Sequence, residues 1–326
     1  MSETNNLFRP NLLSDFVGQD EIVNKLKIYI YSAKERNETL DHTLFYGPPG
    51  VGKTSLAFII AHEFNSKIKV VSAPTLKTIG DLVGILSILD PGDVLFVDEL
   101  HRLDKSLEEI LYSVLEDFKL NITFKNSEQV KLVNFDISPF TFIGATTQIA
   151  LISSPLRDRF GITFKFDYYT VEEISKIIRE NTIKMGFSID NSEAIEIAKR
   201  SRKTPRIANN LLKRIVDFTI YENSKKITKQ ILNNAFAMLK IDKDGLRKED
   251  IDILKLMFKK FKNVPISLEV IASYIGENVN NIRDVYESYL VNEGYIERTK
   301  RGRILTLKGI KKCEEVLLND DFWFIC

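Results

Sequence analysis

Eight residues near the start of the chain, Gly47-Pro48-Pro49-Gly50-Val51-Gly52-Lys53-Thr54, restrict the possible folds more than any other stretch. They satisfy the G-x-x-x-x-G-K-[ST] phosphate-binding pattern. Their surroundings suit it: a strand-like run at 43–46 precedes them and an apolar helix-like run at 55–64 follows. The glycines permit a tight loop whose backbone N–H groups turn inward on phosphate oxygens. The helix N-terminus adds its partial positive charge at the same point. Lys53 has the reach to meet the β- and γ-phosphates of ATP, and the Thr54 hydroxyl can ligate Mg²⁺. The residues expected to hold ATP or ADP here are Gly47, Gly50, Gly52, Lys53, Thr54 and Ser55. A plain glycine-rich turn would not need the whole pattern.

Asp93-Val94-Leu95-Phe96-Val97-Asp98-Glu99 reads as an apolar strand ending in two acids. A buried parallel strand releases its last residues into the ligand crevice, so both carboxylates would face the phosphate loop. Asp98 suits outer coordination of Mg²⁺, which makes Thr54 and Asp98 the candidate metal residues. Glu99 suits a base that orients and polarises water, a mark of hydrolysis rather than transfer. Two acids alone would equally be a helix cap; a phosphate loop about 45 residues upstream favours the catalytic reading. Thr141–Thr147 is another buried strand with hydroxyls at its exit, and Thr146 is the candidate contact for the γ-phosphate or the attacking water.

Strand-like runs at 43–46, 68–71, 94–97, 141–145 and 162–166 alternate with helical stretches, which implies right-handed crossovers and a mostly parallel sheet covered on both faces. From 171 to about 239 the pattern becomes purely helical, and the polar stretch 241–245 reads as a boundary. The expected fold class is therefore α/β: a parallel-sheet domain over 1–170, a small helical domain over 171–241 and a winged-helix domain over 242–326. In the last of these, helices are expected at 268–275 and 282–292. Strands at 295–298 and 304–307 should follow, joined by Thr299-Lys300-Arg301-Gly302-Arg303. Seven Lys or Arg and no acid lie between Arg298 and Lys312. Arg298, Lys300, Arg301 and Arg303 make the turn a candidate phosphate contact, although a solvated basic hairpin would look the same. Nothing there offers readout of base edges.

Global charge adds little, because 46 Lys and Arg against 45 Asp and Glu leave a net charge of +1. Any basic surface must be local. Cys313 and Cys326 have no metal-ligand spacing and suggest no disulfide framework. No basic-then-apolar leader and no apolar run of membrane length is present, so a cytoplasmic protein that makes no membrane contact is expected. His42, His62 and His101 read as surface or packing residues, and Arg157 as a surface ion-pair residue.

Taken together, several stretches resemble the RuvB family of AAA+ ATPases. They are Arg9-Pro10 with Phe16-Val17-Gly18-Gln19, Leu40-Asp41-His42, Asp98-Glu99-Leu100-His101-Arg102-Leu103, Ile143-Gly144-Ala145-Thr146-Thr147, Ser154-Pro155-Leu156-Arg157-Asp158-Arg159-Phe160-Gly161 and Thr204-Pro205-Arg206-Ile207-Ala208-Asn209. The likeness runs from about Arg9 to Thr306. It implies an AAA+ sheet domain, a helical lid and a winged-helix head. It also implies a homohexameric ring that uses ATP to pull the duplex arms of a four-way DNA junction in recombination and repair. Phe8 and Arg9 would flank the adenine with Tyr169 on its other side, and Thr146 would be a sensor. Arg159, in a loop from which a guanidinium can project outward, would be the finger that reaches a neighbour's ATP. Arg206 would be the second sensor, aimed by the helix that Pro205 begins. The resemblance further implies a RuvA-like junction-binding partner docked on a β-hairpin at 120–137, and a RuvC-like resolvase. At that hairpin Leu120, Ile122 and Phe124 alternate with polar residues, and the turn is expected near Asn126–Gln129. An edge hairpin packed on its own domain is the alternative. The chain departs from the family where its wing carries Lys300 in place of the usual proline, and where the hairpin tip lacks glycines. A nucleotide switch or loader on DNA would keep the same fold. A clamp-loader subunit fits less well, since Asp158-Arg159-Phe160 stands where Ser-Arg-Cys is usual there.

Overall fold

A computed structural model describes residues 7–126, 129–262 and 264–318. The tip of the expected hairpin turn at 127–128 and the tail at 319–326, with Cys326, lie outside the described residues. The first part of the chain runs α1 (Asp20–Glu35), β1 (Thr43–Tyr46), α2 (Lys53–Glu63), β2 (Ile68–Ser72), α3 (Ile79–Leu86), β3 (Val94–Asp98) and α4 (Lys105–Asp117). It continues with the hairpin β4 (Lys119–Asn126) and β5 (Gln129–Asp136), then β6 (Thr141–Thr146), α5 (Ser154–Arg157) and β7 (Ile162–Lys165). The strands of the sheet lie within one residue of their expected ends.

They form a parallel sheet in the order β2-β3-β6-β1-β7. Every residue of β6 is buried, as is nearly all of β3. That two-sided burial is why both read as unbroken apolar runs. β2 and β7, at the edges, are partly exposed or alternate. Because β6 and β3 are inserted between β1 and β2, the loop after β1 sits beside the ends of β6 and then β3. Ligands of open parallel sheets bind at such a point. His42 packs among Phe118, Phe140 and Phe142. Its Nδ1 accepts the Phe142 N–H at 3.0 Å, and burial pushes its pKa down to about 4, so it is a neutral packing residue at physiological pH. The base of the β4–β5 hairpin is tied into the core by buried Leu120 and Ile137.

The chain divides into two compact units, one running to Glu173 and taking in Thr204–Arg206, the other holding Ile174–Lys203 and Ile207 onward. The second contains α6 from Ile174 (Val171–Lys184), β8 (Ser188–Ile189), α7 (Asn191–Lys199), most of α8 (Pro205–Tyr221), β9 (Lys226–Ile227) and α9 (Lys229–Leu239). The stretch read as purely helical thus carries one short parallel pair, β8 with β9. Two residues per strand leave no periodicity to detect.

α10 (Lys248–Lys255), α11 (Leu268–Ile275) and α12 (Val279–Asn281) follow, the last continued through the wider turns of Ile282–Glu287 into α13 (Ser288–Asn292). β10 (Ile296–Thr299), β11 (Gly302–Leu305) and α14 (Leu307–Leu318) complete the winged helix. Leu246, Ile251, Ile271, Leu290, Ile296, Leu305 and Val316 make its core. The wing is tighter than expected, since Thr299 pairs with Gly302 and only Lys300 and Arg301 form the turn. The Thr299 hydroxyl closes it, accepting from the Arg301 N–H at 3.2 Å and donating to the Gly302 carbonyl at 2.8 Å. The second strand cannot run on to Leu307, because Thr306 caps α14 through the Gly309 N–H. α14 packs so closely on the wing that a Cβ on Gly309 would lie 2.2 Å from the Tyr295 carbonyl oxygen. Gly309→Ala should therefore push α14 off β10 and lower stability by about 1–3 kcal/mol. Denaturant melts of the full chain check this, and an unchanged midpoint would mean that the helix shifts freely.

Candidate nucleotide site and basic wing

At the C-terminal edge of the sheet, Tyr46 of β1 stands beside Thr146 of β6. The Gly47 N–H donates to the Thr146 carbonyl at 3.2 Å. Gly47, Gly50 and Gly52 have φ of 144°, 79° and 105°, values that a side chain at these positions would strain. The loop delivers the chain into α2, whose first residue is Lys53. The Lys53 Nζ donates to the carbonyls of Gly47 (2.8 Å) and Pro48 (2.7 Å) and is only 8% exposed. Burial pushes its pKa down to about 8; the Asp98 carboxylate pulls the other way and the Arg206 guanidinium adds to the lowering. A desolvated cation among open-backbone glycines fits a polyphosphate, whose charge would offset that cost. Thr54 and Ser55, half-buried, occupy the first turn of α2.

Asp98 ends β3, and its Oδ1 accepts the Glu99 N–H at 2.9 Å. Glu99 has a left-handed φ of 52°, and its Oε2 takes a bond from Arg102 Nη1 at 3.1 Å. The Thr146 side chain is buried; its hydroxyl lies 3.0 Å from His101 Nδ1 and accepts the Gln148 N–H. Sequence reasoning missed Arg102 and gave His101 only a surface or packing role. Both stand in the turn after Asp98-Glu99, and that position was the available signal. Among the described residues no cluster of three or more His, Cys, Asp or Glu could hold a metal.

α8 begins at Pro205, as read, and the Arg206 N–H donates to the Gly50 carbonyl at 3.3 Å. Arg206 is so close that a Cβ on Gly50 would meet its Cβ at 2.9 Å. Tyr169 is buried, donates through its hydroxyl to the Val51 carbonyl at 3.1 Å and stands against Gly18. Phe16 packs beside it on Gly52. Phe8 is buried, and the Arg9 guanidinium lies over Phe58 at 4.1 Å. Tyr169 and Phe16 thus brace the loop at Val51 and Gly52.

Arg159 differs from expectation. Its guanidinium does not project freely; Nε and Nη1 donate to the carbonyls of Tyr112 (3.2 Å) and Pro155 (2.9 Å), Nη2 to Glu116 (2.8 Å), and its central carbon lies 5.0 Å from the centre of the Tyr112 ring. A guanidinium has five N–H donors and takes the nearest acceptors, here supplied by α4 and α5.

The wing departs from expectation too. Arg298 and Arg303, cross-strand partners, donate through Nε to one oxygen of Glu287 at 2.8 and 2.7 Å. Burial pushes the Glu287 carboxyl up, but the bonds from Arg303 and Arg298 hold it below its ordinary value. Lys312 is buried against Asp242 (2.7 Å) and Asp244 (2.6 Å). The run of seven cations is thus not one surface. Lys300 and Arg301 at the tip are exposed, Arg298 is half-exposed, and Arg303 is largely covered.

Comparison with known proteins agrees along most of the chain. Residues 8–166 match the Holliday junction DNA helicase RuvB P-loop domain, 169–242 the RuvB AAA lid domain and 243–314 the RuvB C-terminal winged helix domain. The Holliday junction branch migration complex subunit RuvB of Lactobacillus johnsonii is 46% identical over 301 residues, covering 92% of this chain and 89% of that protein. The chain belongs to the RuvB family. The subunit of the same name from Phytoplasma mali is 48% identical over 298 residues, 91% of this chain and 90% of that one. The solved Thermotoga maritima RuvB Holliday junction branch migration motor matches with a TM-score of 0.84 at 43% identity, covering 94% of this chain and 98% of that structure.

As a RuvB-family P-loop ATPase the chain binds nucleotide, and the titration of Lys53 gives a test. Phosphates raise the amine's pKa in the complex above its free value of about 8. ADP affinity should therefore be flat below about 8 and fall by up to about tenfold per pH unit above it, because binding then takes up a proton. Calorimetric titration across that range checks this; a flat profile would mean that Lys53 stays charged when free. Lys53→Ala should abolish binding at every pH.

Proposed function

We propose that this chain is the ATP-hydrolysing subunit of a hexameric motor that moves the branch point of a four-way DNA junction, working with a RuvA-like partner in recombination and repair. The observation that carries the reading is the meeting of buried Lys53, Asp98, Thr146 and the Arg206 backbone around one glycine loop, in a chain that ends in a basic winged helix. The three proposed domains are 1–170, 171–241 and 242–326.

Lys53 and the loop hold the β- and γ-phosphates, while Phe8, Arg9 and Tyr169 hold the base. Thr54 and Asp98 would hold Mg²⁺, which would neutralise phosphate charge. Glu99 leaves Arg102 and accepts a hydrogen bond from water, aligning the water oxygen with the γ-phosphorus. The Thr146 hydroxyl steadies that water or the γ-phosphate. Water's oxygen bonds to phosphorus as the bridging P–O bond breaks, the water's proton passes to the Glu99 carboxylate, and ADP leaves with the electron pair. Arg206 meets the γ-phosphate from its own subunit. Arg159 gives up Glu116 to reach the γ-phosphate of the neighbouring subunit, which couples hydrolysis to ring assembly. Lys300 and Arg301, with Arg298 and Arg303 behind them, meet DNA phosphates without reading sequence. The RuvA-like partner docks on the hairpin at 120–137, a RuvC-like resolvase acts on the same junction, and the complex works in the cytoplasm. Among the described residues no helix is long and apolar enough to cross a membrane.

The deciding experiment is junction-stimulated, multi-turnover ATP hydrolysis with branch-point movement, with and without the RuvA-like partner. Binding without turnover would leave a nucleotide switch instead. Glu99→Gln should bind ATP and barely hydrolyse it. Arg159→Ala should bind normally and lose turnover in assembled rings by about 10³–10⁵; parental turnover would remove the finger assignment. Replacing both Lys300 and Arg301 with Ala should weaken binding to any duplex and reduce the salt slope by about 2, and an unchanged slope would dismiss the tip.

A further inference from the structure

Between α7 and α8 the chain reverses through Arg202 and Lys203, consecutive non-glycine residues with φ of 53° and 56°. Left-handed backbone at two such residues in a row persists only where surroundings hold it. Here the hold comes from the winged-helix head. Arg202, buried, donates through Nη2 to fully buried Asp250 of α10, and its guanidinium lies 4.2 Å from the Tyr289 ring of α13. Lys203 Nζ is 2.9 Å from Glu293, the residue that ends α13 just before the wing. Tyr289 in turn donates to the Asp244 carbonyl at 2.9 Å. Gly245 packs so tightly on the backbone of Arg200 that a Cβ there would lie 3.1 Å from its Cα. The reversal is therefore fastened to the head at α10, at α13 and at the connecting turn.

The Arg202–Asp250 pair is poorly suited to stability alone. Arg202 Nε and Asp250 Oδ1 are buried without a hydrogen-bond partner, and buried ion pairs with unmet atoms contribute little net stability. Separating the two charges would nevertheless strand both in a dry site. The contact is thus stiff without being strongly stabilising. On its other side the reversal runs straight into Thr204–Arg206, whose last residue bonds the phosphate loop through its N–H on Gly50.

We propose that Arg202 and Lys203 are positioning residues of the motor, which pass any displacement of Arg206 on to the head that carries the basic wing. This rests on the reading of Arg206 as a γ-phosphate sensor. Loosening the clamp should leave the chemistry intact and spoil its conversion into movement. In Arg202→Met with Asp250→Asn both buried charges go together, and the methionine stem still covers Tyr289. The amide oxygen that replaces the carboxylate can still accept the Arg247 N–H, which Asp250 Oδ2 takes at 2.7 Å. In full-length rings with junction DNA and the RuvA-like partner, ATP turnover should stay within about twofold while junctions moved per ATP fall by about fivefold or more. An unchanged yield per ATP overturns the proposal, and so does turnover that falls in step with movement. Lys203→Ala with Glu293→Ala, a more exposed pair, should lower the same ratio less and decides the matter if the first variant melts early. Arg206→Ala runs alongside. Normal hydrolysis in that variant would remove the sensor reading, whereas the ratio measured in the clamp variants judges the clamp.

Discussion

Burying a lysine amine is costly unless negative charge comes to meet it, and the nucleotide unit is arranged around one such amine. Lys53 is held by two carbonyls of its own loop, faces Asp98 and has Arg206 close by. Each neighbour arrives by a different route through the fold. The loop comes from β1, Asp98 from β3, and Thr146 from the strand between them. That convergence requires β6 and β3 to lie between β1 and β2, so the crossed strand order is what assembles the site. An open sheet with its strands in sequence order would scatter the same residues along its edge.

The parts legible in the sequence were those set by local chemistry. Apolar runs such as Val94–Val97 gave strands because both faces are covered, and the glycine loop could be read from its own eight residues. Pro205 opened a helix because its fixed φ suits a first turn. What escaped were contacts between residues far apart in the chain. Nothing local says that Arg159 will rest on Glu116 and Tyr112, or that Glu287 will take both Arg298 and Arg303. Lys312 read as one more surface cation, yet it lies inside among Asp242, Asp244 and Glu315. Counting charge along a sequence overstates a basic surface wherever acids from earlier elements fold onto it.

That correction changes the character of the wing. Glu287 anchors the middle of both strands, so the hairpin is a stiff base with two cations at its tip rather than a diffuse positive loop. Lys300, in a position where the family usually carries proline, adds charge without opening the turn, since Thr299 and Gly302 still close it. A stiff, lightly charged finger suits contacts that must form and release repeatedly, because few counterions are exchanged each time.

The resting place of Arg159 has a further implication. Glu116 presents its carboxylate to that guanidinium much as a phosphate would, inside a single subunit. Under the finger role proposed for Arg159, a free subunit carries a built-in decoy for its own activating group. On that proposal, docking against a neighbour has to displace this internal mimic before the arginine swings across, so dilute protein should sit idle with its fuel intact and assembly should act as the ignition.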